Sequence, residues 1–343
     1  MDTLLGIILH FGGGFAAGSY YLPFTKLRGK AWEDAWIFYG FCTWIILPIV
    51  ATMLTVPSLI GIFQRIPISL IIKVLASGMI WGVGALNFGL ALRHLGMALG
   101  TVLALGVCVL TTNFLFPSIL EHQIIGFCRL FENTTALIRL VGIILAMLGL
   151  SIYGYMGVNK AWAFYSRTSY FPTPEFSLKK GLISALIFGF FMPFMLVGVE
   201  LSKPISDMAL LAHSNKFFAH NIGFMLLCMG GFMTNFCWYL VKNRKSIKRI
   251  VPIAIDSRYV ITYGLAGLCG YLQFFFYGMG EVYLQHLYQS WMLNLIFIML
   301  TVNFWSYLLG EWVSISQSIF SWYVIGLLIT LTAVVILSTV LMI

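Results

Sequence analysis

Residues 67–92 read PISLIIKVLASGMIWGVGALNFGLAL, a run of 26 in which Lys73 is the one formal charge. Coiled as an α-helix at about 1.5 Å per residue, it spans about 39 Å, enough to cross the roughly 30 Å hydrocarbon core of a bilayer. Nine further runs of the same character lie at about residues 4–24, 35–56, 97–118, 136–156, 181–202, 217–241, 258–280, 289–309 and 320–342. The connections between them are short. The chain is therefore predicted to be an all-α, polytopic membrane protein with ten transmembrane helices, whose function must reside within or between those helices.

Composition points the same way. Hydrophobic residues make up 60% of the 343 and charged residues 9%, whereas about a quarter of a soluble globular chain is charged. The net charge of +9 does not imply a nucleic-acid partner, because excess Lys and Arg in a polytopic protein marks cytoplasmic loops. If every run crosses once, fourteen of the 20 basic residues fall on connections after odd-numbered runs. The remaining six (Arg65, Lys73, Arg129, Arg139, Lys203 and Lys216) fall on the opposite side. This bias predicts both termini on the outer, periplasmic face. The first run carries no basic segment before it and no small-residue cleavage site after it, so it reads as a retained helix. The six cysteines form no C-x-x-C pair and no ligand spacing with histidine, so neither a metal nor a cofactor is implied.

The two halves of the chain leave traces of each other. Gly84-Ala85-Leu86-Asn87-Phe88 in run 3 parallels Gly270-Tyr271-Leu272-Gln273-Phe274 in run 8. Thr111-Thr112-Asn113-Phe114 in run 4, with Glu121 eight past the Asn, parallels Thr301-Val302-Asn303-Phe304 in run 9, with Glu311 eight past the Asn. Both pairs lie five runs apart, at offsets of 186 (270 less 84) and 190 (301 less 111). The spacing predicts a five-plus-five duplication, inverted because five is odd. Its parts would be a first five-helix repeat at 1–156, a cytoplasmic linker at 157–180 carrying Pro172 and Pro174, and a second repeat at 181–343.

Polar groups in hydrocarbon are costly unless partnered, so each is a functional candidate. Asn87 and Gln273 sit at matched positions beside glycines, suited to substrate contact or to hydrogen bonding between helices; for Asn113 and Asn303 bonding between helices is the stronger reading. Glu200, three residues before Lys203, and Glu281 are candidate proton-coupling carboxylates or interfacial charges. His10, His220 and His286 are packing residues or titrating groups. Trp81, Tyr271, Tyr20, Tyr21 and Trp291 lie near polar or glycine-rich stretches, and aromatic walls with a few amides suit the apolar faces and hydroxyl edges of a sugar. They would also suit aromatic metabolites or drugs. The sequence has no H-E-x-x-H, G-x-S-x-G or P-loop, which argues against an integral-membrane enzyme.

Several stretches, in order along nearly the whole chain, resemble the L-rhamnose/proton symporter family of the drug/metabolite transporter superfamily: Tyr21-Leu22-Pro23-Phe24-Thr25-Lys26, Trp44-Ile45-Ile46-Leu47-Pro48, Trp81-Gly82-Val83-Gly84 with Asn87-Phe88-Gly89-Leu90, Arg93-His94-Leu95-Gly96-Met97, Tyr271-Leu272-Gln273-Phe274-Phe275-Phe276-Tyr277 and Ser290-Trp291-Met292-Leu293. The resemblance implies a ten-helix bacterial inner-membrane protein that imports L-rhamnose or a similar 6-deoxy sugar with a proton, embedded in the lipid bilayer. Export of a drug or metabolite is the alternative within that superfamily. It further implies that Trp81, Asn87, Gln273, Tyr277 and Trp291 line the sugar path. The chain departs from the family pattern at Glu200, where a neutral polar residue is expected. It departs again at 281–289, Glu-Val-Tyr-Leu-Gln-His-Leu-Tyr-Gln, where the pattern has an acidic residue just before the S-W-M-L block.

Overall fold

The computed structural model describes residues 2–120, 134–169, 171, 173–244, 257–284, 287–313 and 315–340. Among them the ordered elements are all helical. Helix α1 (Asp2–Ser19) is followed by a 3-10 turn at Leu22–Phe24, and α2 (Gly29–Phe41) passes through a π-helical turn, Cys42–Ile46, into α3 (Leu47–Thr55). The wide turn sits just before Pro48, whose ring removes a backbone donor from the ladder. A short α4 (Leu59–Arg65) leads to α5 (Ile68–Leu95), which stops at Gly96 with a positive φ of 85°, a backbone conformation open to glycine. Then come α6 (Met97–Leu120) and α7 (Thr134–Thr168). The second half begins with a broken span, α8 (Leu178–Phe191), α9 (Phe194–Leu201) and α10 (Lys203–Leu211), and ends with α11 (Asn221–Asn243), α12 (Ser257–Leu284), α13 (Leu287–Leu308) and α14 (Gln317–Val340).

Among the described residues nine spans are long and apolar enough to cross a membrane; the described apolar part of α6, Met97–Asn113, is shorter. The outward faces are apolar. Val141, Ile144 and Met147 of α7 are each more than half exposed, as are Leu54 and Leu211. Polar residues such as Thr101, Thr112, Asn235 and Asn294 are fully buried. In a bilayer this distribution leaves hydrocarbon against lipid and gathers the polar groups inside.

Helix partners occur in matched sets. α1 packs on α12 and α13, while α8 packs on α5 and α6. α5 packs along α11, and the α2–α3 span packs along α12; α7 pairs with α14, and α6 with α13. Glycines bring two of these pairs into backbone contact. A Cβ on Gly82 would lie 2.7 Å from the Gly231 carbonyl oxygen, and one on Gly149 would lie 2.6 Å from the Thr330 nitrogen. Close backbone approach of this kind replaces the hydrophobic effect as the glue between helices in lipid.

Two elements differ from the sequence expectation. The sixth run is not one helix but two, α8 and α9, because Pro193 cannot continue the α8 ladder, and Pro204 starts a third, α10, just past the run's end. Residues 157–168, assigned from sequence to the linker, continue α7; the helix stops at Ser169, whose φ is 59°, short of Pro172. Glu121 and His286 lie outside the described residues.

Candidate substrate site

A cavity of about 550 Å³, counting the space that opens out of it, lies where helices of both halves meet. Its walls are Ala17 and Tyr20 from α1, Trp36 and Tyr39 from α2, and Trp44 from the π turn. α5 adds Trp81, Ala85 and Phe88, and α6 adds Leu105. Across from them stand Phe188 and Met192 at the end of α8, Gly270, Gln273 and Phe274 from α12, and Leu295 and Ile298 from α13.

The aromatic wall is held in fixed orientations. Trp36 donates its Nε1–H to Asn235 Oδ1 at 2.9 Å, and Asn235 Nδ2 in turn donates to the carbonyls of Gly82 and Gly231. The Trp81 Nε1–H points at the Met192 sulfur, 2.9 Å away. Tyr20 and Tyr39 stack at 4.9 Å with 14° between planes. Trp44, Trp81 and Phe274 follow edge to face at 5.8 Å each. Gly270 makes the approach possible, since a Cβ there would lie 2.9 Å from the Tyr39 ring and 3.0 Å from Thr43 Oγ1.

Of the residues singled out from sequence, Trp81 and Gln273 line this cavity. Asn87 does not; it is buried and donates to the Val83 carbonyl of its own helix at 2.8 Å. Tyr277 and Trp291 lie beyond the cavity, edge to face at 6.1 Å. Glu200 is partly exposed and paired with Lys203 at 2.7 Å. Glu281, at the same end of the molecule, is half-buried, has no ion-pair partner among the described residues, and lies within electrostatic reach of Glu200 and Lys203. His10 stands edge-on to Tyr277 at 5.4 Å, and His220 edge-on to Phe224 at the same distance. Among the described residues no group of His, Cys, Asp and Glu could hold a metal.

Sequence reasoning missed Trp36, Tyr39, Phe188 and Met192 on the wall and Asn235 behind it. A signal existed for two of them: Trp32, Trp36 and Tyr39 recur at helical spacing, so they share one face of α2. It also missed two ion clusters at the end of the molecule opposite Glu200. Arg93 makes a two-pronged contact with Glu175, Nε to Oε2 at 2.7 Å and Nη2 to Oε1 at 3.0 Å, and lies over the Trp32 ring. Glu33 lies 3.7 Å from the same guanidinium and 3.8 Å from Lys242. The Gly29 N–H donates to Glu175, and Thr173 and Ser177 bond the carbonyls of Arg93 and His94, so the connection between α7 and α8 is strapped across the end of α5. Burial would raise the Glu175 carboxyl, but the hydrogen bonds from Arg93 and Gly29, with the charges of Arg93 and His94, outweigh it and hold the group below its ordinary value. In the second cluster, buried Lys160 pairs with Glu311 at 2.6 Å, donates to Ser306 at 2.8 Å and sits 4.2 Å from the Trp312 ring centre.

A family model described as L-rhamnose-proton symport protein matches residues 2–342. The L-rhamnose-proton symporter of Pectobacterium atrosepticum is 30% identical over 338 residues, 96% of each chain. Those of Yersinia pestis and Yersinia pseudotuberculosis are 31% identical over 317 residues, 90% of each chain.

Proposed function

The chain belongs to the L-rhamnose-proton symporter family, and from that premise we propose that it imports L-rhamnose, or a similar 6-deoxy sugar, together with a proton. It is a multi-pass membrane protein and not an enzyme; transport forms and breaks no covalent bond. The observation that carries the substrate reading is the cavity between the halves, with eight aromatic rings among its sixteen lining residues and the amide of Gln273 on its wall. Such a site matches the apolar C–H faces of a sugar and leaves its hydroxyls to a few polar groups.

The transport cycle is proposed to use an inverted five-plus-five repeat, residues 1–156 and 181–343 joined through 157–180, with both termini on the periplasmic side. The exchange of helix partners supports the repeat: the packing pairs described above have counterparts five spans on, and the α7–α14 and α6–α13 pairs map onto themselves. The matched asparagines support it too. Asn113 and Asn303 each donate to the carbonyl four residues back, at 2.9 and 2.8 Å. Matched Thr111 and Thr301 meet Gly189 and Gly18, glycines of the first span of the other half. Rocking one half against the other around the cavity would give alternating access.

Glu281 and Glu200 are the proposed proton carriers, with Glu281 ahead of Glu200 because Lys203 already neutralises the latter. Trp81 and Gln273 would contact the sugar, Tyr277 and Trp291 would line its approach, and Asn87 would orient α5. The test is uptake of radiolabelled L-rhamnose into vesicles carrying the purified protein, with and without an inward proton gradient. Gradient-driven accumulation is expected; uptake of rhamnose that ignores the gradient would refute proton coupling, and no uptake would refute the substrate.

A further inference from the structure

We propose that the seam where α1, α12 and α13 meet, directly beside the aromatic cavity, is the hydroxyl-binding half of the substrate site, with His10, Ser290 and Asn294 as its hydrogen-bonding groups. This rests on the sugar reading above and names residues that reading leaves out.

These three side chains are fully buried, each 0% exposed. Both ring nitrogens of His10, the Ser290 hydroxyl and both amide atoms of Asn294 have no hydrogen-bond partner among the described residues, and the Trp291 Nε1–H beside them finds no oxygen or nitrogen acceptor. Buried polar atoms are ordinarily paired, the more so in hydrocarbon. The fold itself supplies the comparison. Asn87, Asn113, Asn235 and Asn303 each donate to a carbonyl of their own helix, as packing residues do. Asn294 does neither that nor any bonding across to a neighbour.

The groups named here lie off one end of the cavity. On α13, Trp291 and Asn294 stand one turn before Leu295 and Ile298 of its wall; on α1, His10 precedes Ala17 by seven residues, two turns on the same face. Two contacts tie the seam to the cavity. A Cβ on Gly13 would lie 3.2 Å from the Gln273 carbonyl and 3.5 Å from Asn294 Oδ1, so the Asn294 amide and the cavity-lining turn of α12 both face the same bare backbone of α1. His10 then meets Tyr277, and Tyr277 meets Trp291. Gly280 opens the notch for the imidazole, whose Nε2 would be 2.8 Å from a Cβ there.

The set presents donors and acceptors together: a neutral imidazole offers one of each, an amide two donors and an acceptor oxygen, a hydroxyl both. It contains no carboxylate and no fixed cation. That chemistry fits a neutral polyol. A sugar placed with its C–H face on the Trp and Tyr rings and its hydroxyls toward the seam would satisfy both sides at once.

The test is equilibrium binding of L-rhamnose, and of analogues each lacking one hydroxyl, to the purified protein in lipid nanodiscs. Asn294→Leu and His10→Phe keep size and remove hydrogen bonding. Each is expected to weaken L-rhamnose by about 10–100-fold, and the loss should vanish for one particular deoxy analogue, a different one for each variant. Asn294→Ser and His10→Gln, which keep a polar group, should retain more affinity and serve if the apolar variants do not fold. Equal weakening of every sugar, or unchanged binding in all four variants, would overturn the seam as a hydroxyl site. Wild-type protein that binds L-rhamnose but loses nothing with any hydroxyl removed would overturn it as well, leaving the substrate reading intact. Wild-type protein that binds none of these sugars would overturn the substrate reading itself.

Discussion

Gln273 is the one amide among the side chains that form the cavity wall, and its replacement isolates what that polarity does. Gln273→Leu should raise the KM for sugar uptake by about 10–100-fold, the cost of an unpaired hydroxyl in a dry site, while the melting temperature of the purified protein stays near wild type. Glu281→Gln should abolish accumulation against a gradient yet spare exchange of labelled for unlabelled sugar; Glu200→Gln should lower accumulation less, since Lys203 already pairs with that carboxylate. Glu175 gives a pH prediction for the fold. Its carboxyl is held below the ordinary 4.5, so its contribution to stability is fully present above that value and is lost as pH falls through the lower folded one. Thermal melts across acidic pH should show this loss in the wild type and a flatter profile in Glu175→Gln. Trp81 and Gln273 were legible in the sequence because each interrupts or caps an apolar run next to glycine. Asn87 carried the same signature and turned out to bond its own helix, since sequence alone does not show whether a neighbouring backbone carbonyl is free. Arg93 and Glu175 were not legible as a pair: they lie 82 residues apart, and only the fold of the connecting segment brings them together.

At the scale of helices, the α5–α11 pair depends on the absence of side chains. A Cβ on Gly230 would lie 2.9 Å from the Met79 nitrogen and one on Gly82 would lie 3.0 Å from Thr234 Cβ, besides its clash with Gly231. Gly82→Val should therefore cost about 1–3 kcal/mol by overpacking. Gly264→Ala on α12, where nothing stands within 4 Å, should instead gain about 0.5–1 kcal/mol from helix propensity. Melting temperatures of the two variants in one detergent decide both. The runs themselves were readable from hydropathy, because the bilayer fixes how long an apolar helix must be. The breaks were less so. Pro193 lies in the middle of a run that is apolar on both sides, and hydropathy does not register the loss of a backbone donor. The extension of α7 to Thr168 was missed because Lys160 and Arg167 made the segment look like a loop, whereas Lys160 is buried against Glu311 and Trp312.

Among the described residues the ion pairs at the two ends of the molecule differ. One end carries the Arg93–Glu175–Glu33–Lys242 cluster, the Tyr239–Asp34 hydrogen bond at 2.6 Å and the Lys160–Glu311–Ser306 cluster; the other has the Glu200–Lys203 pair. Releasing the fastened end should shift the population toward opening there. In a Leu99→Cys background, where position 99 is 6% exposed, adding Arg93→Gln and Lys160→Met should speed maleimide labelling about tenfold, the effect of roughly 1.4 kcal/mol on the opening equilibrium. Unchanged labelling would mean that the clusters hold the fold rather than a gate. Neither cluster could be foreseen as a unit, since the pairs that form them stand 82 and 151 residues apart in the chain, whereas of the matched Asn87 and Gln273 only Gln273 lines the cavity. The crossed rings of Trp36, Trp44 and Trp81 around that cavity, with centroids 6.0 and 5.8 Å apart in sequence, have one more consequence. Indoles so close share their electronic excitations, and the near-ultraviolet circular dichroism of the unlabelled protein is then an optical readout of the cavity's shape, one that a colourless guest sliding between the rings must perturb.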